Sequence, residues 1–362
     1  MNILYLSHLI DGPHAGPTYS VPTQIRAQAQ YDNVFWYNAM HQEIAAWRQY
    51  PYYHDLQEYP QESIHALPAP FNKPDLIVVE CFYNMAKSPL MRELMQGNIP
   101  YVIIPRGELT QQAQKRKWLK KWMANLWKCK RYAKKAVAIQ YLTEQERKDA
   151  GPSWNKNYLI VPNGTTVPDR TKDEFSKDKI NCVSIGRIEP YQKGLDLLID
   201  VCTGLQASLR EMRCTIKLCG PDRVGKLESL KKTVKDRGLD DVISFHDGVY
   251  GKEKESLLLE SDVFLIPSRF EGHPMALIEA LAYGLPAVAT VGSNMKPEID
   301  AYDAGWTAEN TAESLGIALK NMLEDKDLFQ EKSRHARELA QLYQWGAIAQ
   351  RSHAAYEELV KR

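Results

Sequence analysis

The sequence predicts an α/β protein made of two doubly wound parallel-sheet domains that face each other across a cleft. Three observations predict it. The chain has 362 residues, which at roughly 100 to 200 residues per domain corresponds to two domains of ordinary size. Short β-rich apolar runs alternate with stretches long enough for crossover helices, the rhythm of a parallel sheet covered on both faces. That rhythm stops in a polar segment and then begins again.

The first set of strands is expected at Asn2 to Ser7, Val34 to Tyr37, Asp75 to Cys81, Tyr101 to Pro105, Ala136 to Gln140 and Tyr158 to Val161. Each is a short run rich in β-branched or aromatic residues bounded by polar or turn residues. The second set is expected at Asn181 to Gly186, Cys214 to Gly220, Val242 to Phe245, Val263 to Pro267 and Pro286 to Thr290. Between the sets, Pro162-Asn163-Gly164 and the almost entirely polar run Asp169 to Lys179 read as the linker. The expected division is 1–165, 166–344 and a terminal helix 345–362 that packs back toward the first domain. Asn163-Gly164-Thr165 matches a glycosylation acceptor but reads as a turn, since no secretory signal accompanies it. Open parallel sheets bind ligands beyond the carboxyl ends of their strands, so the cleft is the expected site.

Composition excludes several classes. The chain is 44% hydrophobic and 25% charged, which argues against disorder. Its 46 Lys and Arg balance 45 Asp and Glu, and the formal charge of +1 gives no global attraction to nucleic acid. The six cysteines, at 81, 129, 182, 202, 214 and 219, include no CxxC pair and suit buried thiols in a reducing compartment. The opening MNILYLSHLIDG lacks a basic n-region and a cleavage site, and reads as a first buried strand. The expected location is the cytoplasm.

The most informative segment is PSRFEGHPMALIEALAYGLP, residues 267–286, which follows an apolar strand. Pro274 is favoured in a first helical turn and Gly284 is a natural stop, so a short helix should begin beside the strand's end. The free N–H groups of its first turn, with Gly272 permitting close approach, would bind a phosphate. Glu279 is the only charge between Pro274 and Gly284 and needs a hydrogen-bond partner. It lies about 7.5 Å along the axis from Pro274, an offset that suits a ribose beside a diphosphate. A structural ion pair with Arg or Lys is the competing reading. Glu271, in the preceding loop, is either a solvated acid or a neighbour of the group on the other phosphate.

EGHPMALIE, with its flanks PSRFEG and EALAYGLPAVAT, closely resembles the signature of family 4 of the retaining glycosyltransferases, the group 1 enzymes. IVPNGTTVP, VSIGRIEPYQKGLDLLI and LCGPD extend the resemblance over the whole chain. It implies the GT-B fold, two Rossmann-like domains with a nucleotide-sugar donor held mainly by the second. It also implies a hexosyl transfer from a UDP- or GDP-sugar to a glycan or lipid-linked acceptor, with no cofactor and no metal, in bacterial lipopolysaccharide or exopolysaccharide biosynthesis. On this resemblance Arg187, Lys193 and Glu271 are the catalytic candidates: the two cations hold the diphosphate and Glu271 bonds sugar hydroxyls. Gly16, Arg106, Gly272, His273, Pro274, Met275, Ala276 and Glu279 are the donor-binding candidates, with Gly12 a further glycine of the first loop. The alternatives are a nucleotide-sugar epimerase of the same fold and a non-catalytic donor-binding subunit.

Other patterns carry less. Gly220-x4-Gly225-Lys226 mimics a phosphate-binding P-loop, but Leu227 stands where a magnesium ligand is required. Asp325 and Asp327 read as a solvated acidic pair, and His8 and His273 have no partner at metal-ligand spacing. Leu109 to Thr143 holds ten Lys or Arg and no acid, with Trp118, Leu119, Trp122, Met123, Leu126 and Trp127 at helical spacing. Residues 115–135 are therefore expected either to pack their tryptophans on the sheet or to lie on an anionic membrane, as a peripheral contact with the inner face of the cytoplasmic membrane. The aromatics from Tyr31 to Tyr59 are expected to shape the acceptor side.

Overall fold

The computed structural model describes residues 1–10, 16–42, 44–115, 118–176 and 178–361, with the side chains at 86, 112, 115, 118, 120, 126 and 127 left aside. Gly12, Trp118, Leu126 and Trp127, singled out in the sequence, fall wholly or by their side chains outside that set. Two units result: Met1–Gly164 together with Trp345–Arg362, and Thr165–Gln344.

In the first unit the strands are β1 (Asn2–Ser7), β2 (Asn33–Asn38), β3 (Tyr53–Asp55), β4 (Leu76–Glu80), β5 (Tyr101–Ile104), β6 (Ala138–Tyr141) and β7 (Tyr158–Ile160). They form one sheet in the order β3-β2-β1-β4-β5-β6-β7, each neighbouring pair parallel. The second unit holds β8 (Ile180–Ile185), β9 (Cys214–Cys219), β10 (Ile243–His246), β11 (Val263–Ile266), β12 (Ala287–Thr290) and β13 (Gly305–Ala308). Their order is β10-β9-β8-β11-β12-β13, again parallel. Each order reverses once, between β1 and β4 and between β8 and β11. Such switch points leave a crevice where two outgoing loops diverge.

Helices cover both faces of each sheet, so the central strands read as continuous apolar runs instead of alternating ones. Ile3 and Tyr5 pack on one side of the first sheet, Leu4 and Leu6 on the other. In the second sheet Cys182 and Val183 divide likewise. All six cysteines are buried free thiols.

Two sequence expectations change. The polar stretch after Gly164 does not hang free as a linker. Lys172 donates its amide to the Tyr283 carbonyl (2.7 Å) and its ammonium forms an ion pair with the buried Asp262 (3.1 Å), while Phe175 packs edge-on against Phe329. The segment thus clothes the second unit although it lacks an apolar run. The aromatics between Tyr31 and Tyr59 largely build core: Trp36, Tyr37, Trp47 and Tyr53 are buried, with Trp36 in ring contact with both Trp47 and Tyr53.

The helix Trp345–Lys361 returns to the first unit and packs on the helix Gly16–Gln28. Its Tyr356 is fully buried on the Ile3/Tyr5 face and donates to Gln140 Oε1 of β6 (2.6 Å). At its start the Trp345 ring lies over Gly164, where a β-carbon would come within 2.5 Å of the indole. Tyr356→Phe should lower unfolding free energy by about 1 kcal/mol through the lost hydrogen bond, and Tyr356→Ala by about 3–5 kcal/mol through the cavity. Urea titrations followed by tryptophan fluorescence measure both.

Candidate functional site at the β8/β11 switch point

Four loops meet at the carboxyl edge of the second sheet, and three glycines let their backbones touch. A β-carbon on Gly220, after β9, would sit 1.7 Å from the Gly186 carbonyl oxygen, after β8. One on Gly194 would sit 1.9 Å from Pro267 O, and one on Gly292 2.2 Å from Ser268 O. Gly194 also adopts φ +64°, which side chains disfavour. Across the switch point, Arg269 N donates to Gln192 O (2.9 Å), and the Arg269 guanidinium reaches Asp196 (2.6 Å).

This frame places the charged candidates. Lys193 extends past Gly186 and its ammonium meets Glu271 Oε1 at 2.6 Å. Ser268 Oγ donates to the same oxygen, also at 2.6 Å. Arg187 is about one-third exposed; its Nη2 donates to Gln192 Oε1 (3.1 Å) and its Nη1 lies 3.6 Å from Glu189. The loop of Glu271 is held from below by Asn294, whose amide donates to the carbonyls of Glu271 and Gly272. Asn294 sits at φ +62°, a conformation asparagine tolerates well.

The helix Met275–Ala282 begins directly after this loop. Pro274 is its N-cap, one position earlier than the sequence suggests, and no side chain caps its first turn, which contains no acid. The leading N–H groups and the positive end of the helix dipole are therefore unneutralised by a side chain. The helix ends in a Schellman turn: Gly284 at φ +88°, with Leu285 N bonded to Ala280 O and Gly284 N to Leu281 O. Arg187, Lys193, Glu271, Gly272, His273, Pro274, Met275 and Ala276 thus belong to one edge of one unit.

Glu279 has a lysine partner through one oxygen of its carboxylate. Its Oε2 accepts from Lys254 on the helix Gly251–Glu260 at 2.7 Å. Gly16 and Arg106 stand in the other unit. Gly16 opens a helix, and a β-carbon there would meet nothing within 4 Å. The Arg106 side chain is 4% exposed and bonds Glu80 (2.7 Å), Ser20 (3.2 Å), Asn163 (2.9 Å) and Gln24 (2.8 Å), which makes it a hub inside the first unit.

The decoys resolve physically. In the P-loop mimic, Asp222 accepts from the amides of Val224, Lys226 and Leu227 at 3.1, 3.1 and 2.9 Å, so the protein's own carboxylate occupies the anion position. Asp325 is not merely solvated, since it accepts from the Trp306 indole (2.8 Å). Among the described residues no cluster of His, Cys, Asp and Glu could hold a metal ion. In the basic segment, Leu119, Trp122 and Met123 are about half exposed, whereas Cys129, Tyr132 and Ala133 are buried. Among the described residues no helix is long and apolar enough to cross a membrane. The sequence did not flag Ser268, Lys254 or Asn294 as site residues, and their contacts leave no spacing that could have done so.

His273 is buried against Tyr343, and burial pushes its pKa down to about 3. It is neutral beside the helix start at neutral pH. The unfolded chain takes up this proton near pH 6.5 and the native state does not, so its contribution is complete above pH 6.5 and falls away as pH drops toward 3. Relative to His273→Gln, the wild type should lose roughly 2 kcal/mol of stability between pH 7 and pH 5. Urea midpoints across that range for both proteins measure the difference.

Residues 168–341 match the family model of glycosyl transferases group 1. A stretch of 167 residues is 32% identical to the putative colanic acid biosynthesis glycosyltransferase WcaL of Salmonella typhimurium, covering 44% of this chain and 40% of that protein. Two solved structures match over nearly the full length. Sucrose-phosphate synthase from Thermosynechococcus elongatus gives a TM-score of 0.73 at 17% identity, covering 99% of each chain. Anabaena HepE in complex with UDP gives 0.73 at 15% identity, covering 99% of this chain and 100% of that one. The curated matches span about 40% of their relatives' length. The fold is that of GT-B proteins, and residues 168–341, nearly half of the chain, match the group 1 glycosyltransferases.

Proposed function

We propose that the protein is a retaining, metal-independent glycosyltransferase that moves a hexosyl group from a UDP- or GDP-sugar to a glycan or lipid-linked acceptor in surface polysaccharide synthesis. One observation carries the reading: Arg187, Lys193 and the uncapped start of the helix Met275–Ala282 gather three sources of positive potential at the β8/β11 switch point. Cleavage of the sugar–phosphate bond leaves negative charge on the departing diphosphate, and fixed positive groups stabilise that state more than the intact donor. A bond from the anomeric carbon to the acceptor oxygen forms on the same face, and the acceptor proton passes to a diphosphate oxygen. Lys193, with three N–H donors, can keep Glu271 while it contacts phosphate.

Glu271 serves as a hydroxyl acceptor for the donor sugar, not as a nucleophile. Its Oε1 already takes two bonds, from Lys193 and Ser268, which position the carboxylate. Gly272, open on its α-carbon, lets the sugar approach the loop. Glu279 is assigned to the ribose through Oε1, with Lys254 orienting the carboxylate from Oε2.

The half-exposed Leu119, Trp122 and Met123, set among lysines, suit a peripheral contact with anionic lipid on the side where a lipid-linked acceptor is found.

Calorimetric titration of the purified chain with UDP and GDP, and with their sugars, tests the donor site. Arg187→Ala and Lys193→Ala should each reduce turnover about 100-fold or more and weaken nucleotide binding. Glu279→Ala should weaken it about tenfold; unchanged affinity in that variant removes the ribose role. Trp122→Ala should reduce co-sedimentation with phosphatidylglycerol vesicles at low salt. Equal co-sedimentation of variant and wild type would remove the membrane contact.

A further inference from the structure

In the loop between β8 and the helix Leu195–Gly204, Tyr191 is 62% exposed, more than any other large apolar residue among those described. A single exposed aromatic is ordinary when nothing holds it. This one is held. The Arg269 guanidinium lies over its ring, 4.6 Å from the centroid. That guanidinium is itself fixed, since it donates to the Tyr191 carbonyl (2.8 Å) and to Asp196 (2.6 Å). The Arg269 main chain is pinned as well, its N–H donating to Gln192 O (2.9 Å) and its carbonyl accepting from the Asn310 amide (3.2 Å). The Phe270 ring stands beside Tyr191 at 6.5 Å, tilted by 57°. With one face against the guanidinium, the ring turns its other face to solvent.

Position separates this ring from the nucleotide. Tyr191 precedes Lys193 by two residues, so their α-carbons are at most about 7 Å apart. The helix Leu195–Gly204 that follows packs Leu195 and Leu198 on the face of the second sheet that carries Cys182. The helices that bear Lys254 and Glu279 pack Leu258 and Ile278 on the opposite face, with Val183. A diphosphate held by Arg187 and Lys193, with its ribose at Glu279, therefore directs the nucleoside toward one face of the sheet and leaves Tyr191 on the other. What continues past the phosphates on that side is the sugar being transferred, and after it the chain that the sugar joins.

The surroundings of the ring suit a pyranose. Such a sugar projects C–H bonds from its faces and hydroxyls from its rim, and the negative face of an aromatic ring attracts the former. Asp196 and Asn310, solvent-exposed beside Arg269, supply an acceptor and an amide for the rim. Because Arg269 fixes the ring before any ligand arrives, little side-chain freedom is lost on binding. We infer that Tyr191 is a stacking platform for a pyranose of the acceptor glycan, beside the unit that receives the hexosyl group; its assignment to the acceptor rests on the transferase reading.

Saturation-transfer NMR on the full chain tests the platform. Maltose, lactose and cellobiose are the probes, and sorbitol, an open-chain polyol with hydroxyls but no ring, is the control. At least one disaccharide should show transfer at least threefold stronger than sorbitol. That transfer should fall at least threefold in Tyr191→Ala and stay within twofold of wild type in Tyr191→Phe, which keeps the ring and removes only the hydroxyl. A weaker contrast with sorbitol, a smaller fall in Tyr191→Ala or a larger one in Tyr191→Phe would overturn the inference. Calorimetry with UDP and GDP on the same samples reads the donor site, and both variants should bind nucleotide as wild type does. Weakened nucleotide binding in either variant would also overturn the inference, because the ring would then belong to the nucleotide site. Failure of both nucleotides to bind wild type would instead sink the transferase reading and leave the stacking result standing.

Discussion

The second unit depends on backbone touching backbone at one edge of its sheet. Gly194, Gly220 and Gly292 stand where any β-carbon would overlap a carbonyl oxygen of a neighbouring loop. Because those contacts are short, the loops after β8 and β11 come close enough for Arg269 N to reach Gln192 O and for Lys193 to reach Glu271. Beside the Arg269–Asp196 pair, the Lys193–Glu271 pair then spans the switch point as a charged stitch. A hydrogen-bonded ion pair that is partly shielded from water is stronger than an exposed one, but its geometry matters more than its energy. It fixes an ammonium and a carboxylate side by side, the arrangement needed to meet a phosphate and a sugar at once.

The electrostatics of that edge are balanced without being neutralised. Arg187 leans on Gln192 and Glu189, and Lys193 on Glu271, so neither cation waits unpaired in a folded protein lacking ligand. The helix start offers a third positive contribution that no acid of its first turn offsets. His273, kept neutral by burial, adds no charge that would vary across physiological pH.

Much of the fold was legible because strands covered on both faces leave continuous apolar runs. Asn2–Ser7, Val263–Ile266 and Ala287–Thr290 are of this kind. β3, Tyr53–Asp55, and β13, Gly305–Ala308, escaped the reading. Both lie at sheet edges, where three or four residues carrying His, Asp, Gly or Thr produce no run. In the site, Glu271, Arg187 and Lys193 were singled out by the family resemblance; their own spacing shows only charges in loops between a strand and a helix. Asn294, Ser268 and Lys254 were not, since their contacts with the glutamates depend on folding and leave no spacing to read. The aromatics from Tyr31 to Tyr59 misled for a related reason: composition identifies a tyrosine but not whether it faces water. Arg106 is a donor-binding candidate on the resemblance, and its bond to the buried Glu80 leaves no mark in the sequence.

The return of the helix Trp345–Lys361 to the first unit makes that unit discontinuous in sequence. During synthesis, the sheet containing Tyr5 and Gln140 emerges from the ribosome long before Tyr356 exists to cover it, whereas Thr165–Gln344 is contiguous and can close on itself sooner. Vectorial folding is thereby inverted: the half made first matures last. In the interval a strip of apolar surface around Ile3 and Tyr5 lies open, which is where a nascent chain would engage a chaperone.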